Sequence, residues 1–160
     1  MNKEQIMAKL KKGSMLTAVI CAVSSLADLV SATYIFRCGF SEMQPGTRYQ
    51  VAEICTALLF IAAIVATAAL LFYRIAKNGI PFTQQNARTV CIIGILFLLR
   101  SILPPAAGWL ASDTETFRYS VRLLNYGNCI RPIFEGLLCL LIAYIMHYGA
   151  MLQQESDETL

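Results

Sequence analysis

The chain has 160 residues, of which 57% are hydrophobic and only 14% are charged, with a net charge of +3. Soluble domains carry about 25% charged residues, so this composition excludes an ordinary soluble domain. The small positive charge does not indicate a nucleic-acid site, and we predict no direct contact with nucleic acid.

Four long apolar segments fill most of the chain, and each has about the ~20 residues that cross a hydrocarbon core of ~30 Å. They cover residues 14–36, 51–73, 89–111 and 128–148. We therefore predict an all-α, integral membrane four-helix bundle that forms a single domain over residues 1–160. The lipid bilayer is its first predicted partner, and no room remains for a soluble catalytic domain.

The first twelve residues carry a basic cluster ahead of the first span: Lys3, Lys9, Lys11 and Lys12. Such lysines indicate a cytoplasmic N-terminus and a contact with anionic lipid. The apolar positions among them fit a short interfacial amphipathic helix, and an ordinary basic flank is the alternative. The first span is longer than a ~7–15-residue signal-peptide core, so we interpret it as retained.

The distribution of Lys and Arg predicts that both termini are cytoplasmic (N-in/C-in). In this orientation seven basic residues lie in cytoplasmic segments and four lie in the outer loops. The outer loops contain a predicted turn at Pro45-Gly46 and one predicted interfacial helix within residues 112–127.

The second span contains small residues at helical spacing. Ala62 with Ala66, and Ala63 with Thr67, form small-x-x-x-small pairs that let helix backbones approach each other. The contact is either within one chain or in a homo-oligomer, and the sequence leaves both open.

The six cysteines form no C-x-x-C pair, so we predict no metal and no cofactor. Cys38 and Cys129 fall at span ends on the same side, and their pairing stays open. The chain has one histidine, His147, and no known catalytic motif, so we predict that it is not an enzyme and has no catalytic residues.

Five charged residues lie within or near the predicted spans: Asp28, Glu53, Arg100, Arg131 and Glu135. Asp28, Arg100 and Glu135 are roughly 10–17 Å from the outer ends of their spans, so we predict a buried polar cluster. Three readings stay open. Arg100 pairs with Asp28 or Glu135 and fixes helix order, or the cluster binds a ligand or ion, or it lines a proton or solute pathway.

The third span contains Pro104 and Pro105, which have no amide hydrogen. In a continuous helix they leave the carbonyls of Arg100 and Ser101 without partners. We therefore predict a third helix that is broken near Pro104-Pro105, with a kink or an end at Arg100.

The inner loop and the tail hold the clearest local signals. Gly79 and Pro81 predict the end of the second helix, and Thr83 predicts the N-cap of the third, with Asn86 three residues on. Phe82 is placed to pack against the helix or to lie at the interface. Gly149 marks the predicted end of the fourth span, and residues 149–160 form a predicted acidic cytoplasmic tail.

The loop pattern Gly79-x-Pro81-Phe82-Thr83-x-x-Asn86 and the ending Tyr148-Gly149-x-x-Leu152-Gln153-x-Glu155-x-Asp157-x-Thr159-Leu160 resemble the bacterial membrane family called domain of unknown function 2975. The resemblance covers essentially the whole chain. It implies a multi-pass protein of the bacterial plasma membrane, without assigned enzymatic activity. Family members are often encoded beside a small Cro-like helix-turn-helix regulator, which implies a cytosolic partner of that kind.

These segments supply the candidate interaction residues: Gly79, Pro81, Phe82, Thr83, Asn86, Glu155, Asp157, Thr159 and Leu160. The leading prediction is a non-catalytic sensory or regulatory membrane component that acts through a cytosolic partner. The alternative is a small transporter or channel-like subunit that uses the buried polar cluster. A membrane enzyme ranks third.

Overall fold

The computed structural model describes residues 3–41, 48–111 and 125–158, and the side chains of residues 5–38, 48, 50–108, 110–111 and 130–156. The described residues form four α-helices and no strand. The helices are α1 (Lys3–Ser41), α2 (Arg48–Asn78), α3 (Gln84–Leu110) and α4 (Asn125–Glu158). Each contains a segment long and apolar enough to cross a membrane. The predicted all-α class with four spans is confirmed.

The two terminal helices are longer than a membrane span requires. With 39 residues in α1 and 34 in α4, their lengths are about 58 Å and 51 Å at 1.5 Å per residue. The hydrocarbon core measures only ~30 Å. The start of α1 is therefore a continuation of the first span and not a separate interfacial helix.

The C-terminal tail is also helical as far as Glu158, because α4 continues through Gly149. The prediction that Gly149 ends the fourth helix is wrong. A glycine in a helix interior costs only about 1 kcal/mol. The Ala-Met-Leu-Gln-Gln sequence that follows it strongly favours helix, and this preference outweighs the glycine.

Helix α1 contacts α2 along a narrow seam of mostly small side chains. Its buried and half-buried positions include Ser14, Ala18, Cys21, Ser25, Asp28, Ala32 and Ile35, which alternate at spacings of four and three residues. At this seam the Ser25 hydroxyl donates to the Ala62 carbonyl oxygen (2.9 Å). The Cys55 thiol donates to the Ala32 carbonyl oxygen (3.6 Å). Ala62 thus serves an intramolecular contact, whereas Ala63 and Ala66 are exposed.

The core of the bundle lies where α2, α3 and α4 meet. Its buried side chains are Leu71, Ile75, Val90 and Ala143. Helix α3 packs on both α2 and α4, and α1 packs on α2. In the described residues neither α3 nor α4 packs along α1. The packing order is therefore α1–α2–α3–α4, with α1 attached through α2 and α4 attached through α3.

Helix α3 runs without interruption through Pro104 and Pro105 to Leu110. The predicted break or end of the helix near this pair is wrong, because α3 continues to Leu110. The alternative of a kink stays a prediction. Proline fixes φ near −65°, a helical value, so the pair is compatible with helical dihedral angles, although it removes two amide donors and its rings crowd the carbonyls four residues earlier. The Ser101 hydroxyl donates to the Leu98 carbonyl oxygen (2.6 Å), and this local bond satisfies the side chain next to the prolines.

Candidate functional site

The α2–α3 turn (residues 79–83) begins at Gly79, which ends α2. Its φ is +72°, a left-handed value that favours glycine. Its amide donates to the Ile75 carbonyl oxygen (2.8 Å), so the last turn of α2 is closed. The sequence prediction for this helix end is confirmed.

Helix α3 begins with a hydrogen-bonded cap. The Asn86 amide donates to Oγ1 of Thr83 (3.1 Å), which confirms Thr83 as the N-cap. The Asn86 side chain is only 3% exposed. Its Nδ2 donates back to the carbonyl oxygens of Ile80 (3.3 Å) and Pro81 (3.0 Å). Asn86 thus joins the turn to the helix that follows it.

The same turn contacts the two terminal helices. A Cβ on Gly79 would lie 2.8 Å from Cε of Lys11 and 3.2 Å from Cε of Met7, so α1 packs against the turn. The ring of Phe82 lies against Gly149 of α4, at 3.4 Å from an ideal Cβ. The start of α1, the turn and the end of α4 therefore lie on one side of the bundle. We call this the terminal side.

A further polar link joins α2 to α3 one turn deeper. Nη1 of Arg74 donates to Oγ1 of Thr89 (2.9 Å), and that hydroxyl donates to the Gln85 carbonyl oxygen (2.9 Å). Thr89 is buried. The sequence analysis missed this link, because Arg74 is one of the seven basic residues that it counted only to predict the topology.

A polar cleft opens on the terminal side between the start of α3 and the end of α4. Its volume is about 340 Å³, and it is lined by Gln84, His147, Met151, Gln154 and Glu155. The four lining residues of α4 stand at positions 147, 151, 154 and 155, which fall within about 100° around the helix, so they share one face of it. The cleft exists because α4 remains helical beyond Gly149.

Among the predicted interaction residues, the structure places Gly79, Pro81, Phe82, Thr83 and Asn86 in the turn and its cap. Glu155 is exposed and lines the cleft. The side chain of Asp157, and all of Thr159 and Leu160, lie outside the described residues. The sequence analysis assigned neither Gln84 nor His147 to a site, since nothing in the sequence showed that α4 continues beside α3.

The charged residues within the spans do not meet at one point in the described structure. Nε of Arg131 donates to Oε1 of Glu135 one turn along α4 (2.8 Å), and the Arg131 side chain is 84% exposed. Asp28, Glu53 and Arg100 are half-buried. Among the described side chains, no ion pair joins Asp28 or Arg100 to this pair.

Helix faces explain why Arg100 and Glu135 are apart. Arg100 lies about three turns from Thr89 on the same face of α3, and this face points to α2. Gly94, which contacts α4, lies roughly 120° around the helix from Arg100. Asp28 lies on the α1–α2 seam. The residues of the predicted polar cluster are thus spread over several helix faces.

The remaining sequence predictions have partial answers. Cys38 is an exposed free thiol, and the Cys129 side chain lies outside the described residues. The Pro45-Gly46 turn and the segment 112–124 of the predicted interfacial helix lie outside them as well. In the part of the chain with described side chains, no group of three or more His, Cys, Asp or Glu residues is placed to hold a metal ion.

The fold and the terminal side define a multi-pass, all-α membrane protein with a polar cleft beside a hydrogen-bonded turn. No protein-family model matches this chain, and no curated protein or solved structure matches it. The resemblance to domain of unknown function 2975 rests on the loop and tail patterns, and it stays a prediction.

Proposed function

We propose that this chain is a non-catalytic regulatory component of the bacterial plasma membrane that binds a cytosolic partner on its terminal side. A basic helix-turn-helix regulator is the proposed partner. The observation that supports the proposal most directly is the cleft between Gln84 and the α4 extension. It gives a membrane-embedded bundle a concave polar surface at the ends of two spanning helices.

The charge of the α4 extension supports a basic partner. Glu155 lines the cleft, and Asp157 and Glu158 follow it in the sequence. Acidic side chains compete for the lysines and arginines with which a DNA-binding protein contacts phosphates. Such binding is weakened by salt, because exposed charges are screened beyond ~8 Å at physiological ionic strength.

The α2–α3 turn beside the cleft is suited to holding this surface in one conformation. Thr83 and Asn86 cap α3, and Phe82 rests on α4 at Gly149. A surface whose backbone is already ordered loses less conformational entropy when a partner binds. The motif residues of the loop therefore contribute by positioning the cleft, while the side chains of α4 make the proposed contacts.

A matched pair of variants tests the proposal. Gln154 lines the cleft, whereas its neighbour Gln153 is exposed on another face of the same helix. Gln154→Arg adds a positive charge inside the cleft and is expected to weaken capture of a purified basic helix-turn-helix regulator, the proposed partner. Gln153→Arg adds the same charge elsewhere and is expected to leave capture unchanged.

Capture is measured with the purified full-length chain in nanodiscs, at low and high salt. Deletion of residues 153–160 is expected to abolish capture while the four spans remain folded. Equal capture by both arginine variants, or capture that does not depend on salt, contradicts docking through the cleft. Retained capture after the deletion contradicts it as well.

A small transporter or channel-like subunit is the second candidate. Asp28 and Arg100 are half-buried within spans, and neither makes an ion pair among the described side chains. Embedded ionisable residues often mark ion or substrate pathways. Asp28→Asn should then abolish ion or solute flux in proteoliposomes, whereas the regulatory proposal predicts no flux in either protein.

A further inference from the structure

We infer that one flank of α4 binds the same flank of a second copy of this chain inside the membrane. This α4 flank consists of five residues: Arg131, Glu135, Leu138, Ile142 and Ile145. It is separate from the cleft on the terminal side, so the inference stands whether or not a cytosolic partner binds there. It rests on the depth, the exposure and the self-complementary charge of one ion pair.

The ion pair between Arg131 and Glu135 lies near the middle of the bilayer. Gly94 of α3 and Gly136 of α4 are in backbone contact, so these two positions share one depth. From Gly94, helix α3 continues about 24 Å outward to Leu110, whereas Arg131 lies only about 8 Å outward from Gly136. Arg131 is therefore about 16 Å below the outer end of α3, which is close to half of a ~30 Å hydrocarbon core.

At this depth the Arg131 side chain is 84% exposed on the surface of the bundle. A guanidinium group has several N–H donors, and the structure describes one hydrogen bond from it, from Nε to Oε1 of Glu135 (2.8 Å). In the described residues α3 is the helix that packs along α4, and it does so on another side of α4, at Gly136. Hydrocarbon has no water to bind the other donors, so a charged side chain that faces lipid here is costly. The flank therefore requires a polar cover.

A second copy of the chain provides that cover with matching charge. Around a two-fold axis along the membrane normal, two copies present the same residues at the same depth. Arg131 keeps its Nε bond to Glu135 of its own chain, while its Nη atoms donate to Glu135 of the second copy, one helical turn away. Two arginines and two glutamates then form a neutral network in which each charge has partners. Lipid headgroups do not lie at this depth, and an apolar helix brings no acceptor.

The remainder of the flank is suited to close packing of two helices. Its five residues follow one another at spacings of four and three, the repeat with which helices pack side by side. Leu138, Ile142 and Ile145 are all exposed. The flank thus combines the ion pair with an apolar seam that runs from it toward the terminal side.

Charge complementation between two labelled chains tests the network. Arg131→Glu gives a flank with two acids, and Glu135→Arg gives a flank with two arginines. Full-length chains with donor or acceptor fluorophores are mixed in phosphatidylcholine proteoliposomes, and energy transfer measures their association. Each variant alone is expected to associate at least about tenfold more weakly than the unaltered chain, because like charges meet and each pair is broken. A mixture of the two variants is expected to recover association.

An unaltered chain that stays monomeric would overturn the inference, as would full association of either variant alone. A mixture that does not recover association would show that the pair acts within one chain, and it would overturn the inference too. Recovery is scored for variants that keep the helix content of the unaltered chain. If they do not keep it, a second measurement that leaves the charges in place decides the matter.

The second measurement is disulfide cross-linking on α4. Leu138→Cys places a thiol on the flank, whereas Leu137→Cys places one at a similarly exposed neighbour about 100° around the helix. Leu138→Cys is expected to form covalent dimers several times above the level of the unaltered chain, whose own cysteines set the background. Leu137→Cys is expected to stay at that background. Equal cross-linking of the two variants, or none above the background, would overturn the flank as an interface.

Discussion

Gly94 and Gly136 bring the backbones of α3 and α4 into contact, and at both positions any side chain would collide. A Cβ on Gly94 would lie 3.0 Å from the Gly136 carbonyl oxygen, and one on Gly136 would lie 2.9 Å from the Gly94 carbonyl oxygen. Backbone atoms cannot rotate away as a side chain can. We expect Gly94→Val to separate the helices and to destabilise the protein by about 1–3 kcal/mol.

Thermal unfolding in detergent measures this effect. Gly13 in α1 is the matched control, because a Cβ there meets nothing within 4 Å. Gly13→Ala should be neutral or stabilising by up to about 1 kcal/mol, since alanine loses less conformational entropy in a helix. A harmless Gly94→Val would contradict the close crossing of α3 and α4.

Asn86 is the residue on which the α2–α3 turn depends. Its buried side chain bonds two carbonyl oxygens of the turn, and its amide bonds the Thr83 hydroxyl. Asn86→Ala leaves those carbonyls without partners and is expected to cost about 1–3 kcal/mol. Gln85→Ala, at an exposed side chain next to it, should cost less than about 0.5 kcal/mol. Equal melting temperatures for the two variants would contradict this role.

Arg100 gives a result that the sequence alone did not predict. A buried ion pair that loses one partner costs ~3–5 kcal/mol. In the described side chains Arg100 pairs with neither Asp28 nor Glu135, so we expect Arg100→Leu to change the free energy of unfolding by less than about 1 kcal/mol. A loss in the larger range, restored by Asp28→Leu, would show that the pair forms after all.

At the scale of helices, the sequence predicted the spans and the helix ends that are each set by one local signal. The length of the apolar segments predicted the four spans. Gly79 predicted where α2 ends, and Thr83 predicted where α3 begins. Prediction failed where neighbouring residues outweigh a local signal. Helix α4 continues through Gly149, because the helix formers beside it outweigh the cost of one glycine. Helix α3 continues through Pro104-Pro105, since the φ of proline is a helical value even though two amide donors are missing.

The candidate site was less predictable than the helices, for a related reason. The turn residues could be assigned from their order in the chain, whereas the cleft requires Gln84 of α3 to lie beside Gln154 of α4. No sequence pattern states which faces of two helices meet. The predicted cluster of embedded charges illustrates the same gap, since depth along a span does not give the direction of a side chain around it.

The α1–α2 seam provides a test at the scale of helices. Ser25 is buried, and its hydroxyl donates to the Ala62 carbonyl oxygen across the seam. Ser25→Ala should cost about 0.6 kcal/mol, a typical value for an interhelical hydrogen bond in a membrane. Ser25→Leu should cost about 1–3 kcal/mol, because it overfills a seam of small residues. Ser24→Leu, at an exposed neighbour, is the control and should leave the free energy of equilibrium unfolding unchanged.

At the scale of the whole molecule, four spans place the start of α1, the α2–α3 turn and the end of α4 on one side. The contacts of Lys11 with Gly79 and of Phe82 with Gly149 link these three segments directly. The proposed partner requires that this side face the cytosol.

The orientation of the terminal side is the claim on which the proposed function depends most directly. It is measured with paired reporter fusions at each terminus, one reporter that is active only in the cytoplasm and one that is active only after export. The excess of Lys and Arg on this side predicts that both termini activate the cytoplasmic reporter alone. Exported termini would place the cleft and the acidic end of α4 outside the cell and would contradict docking of a cytosolic regulator.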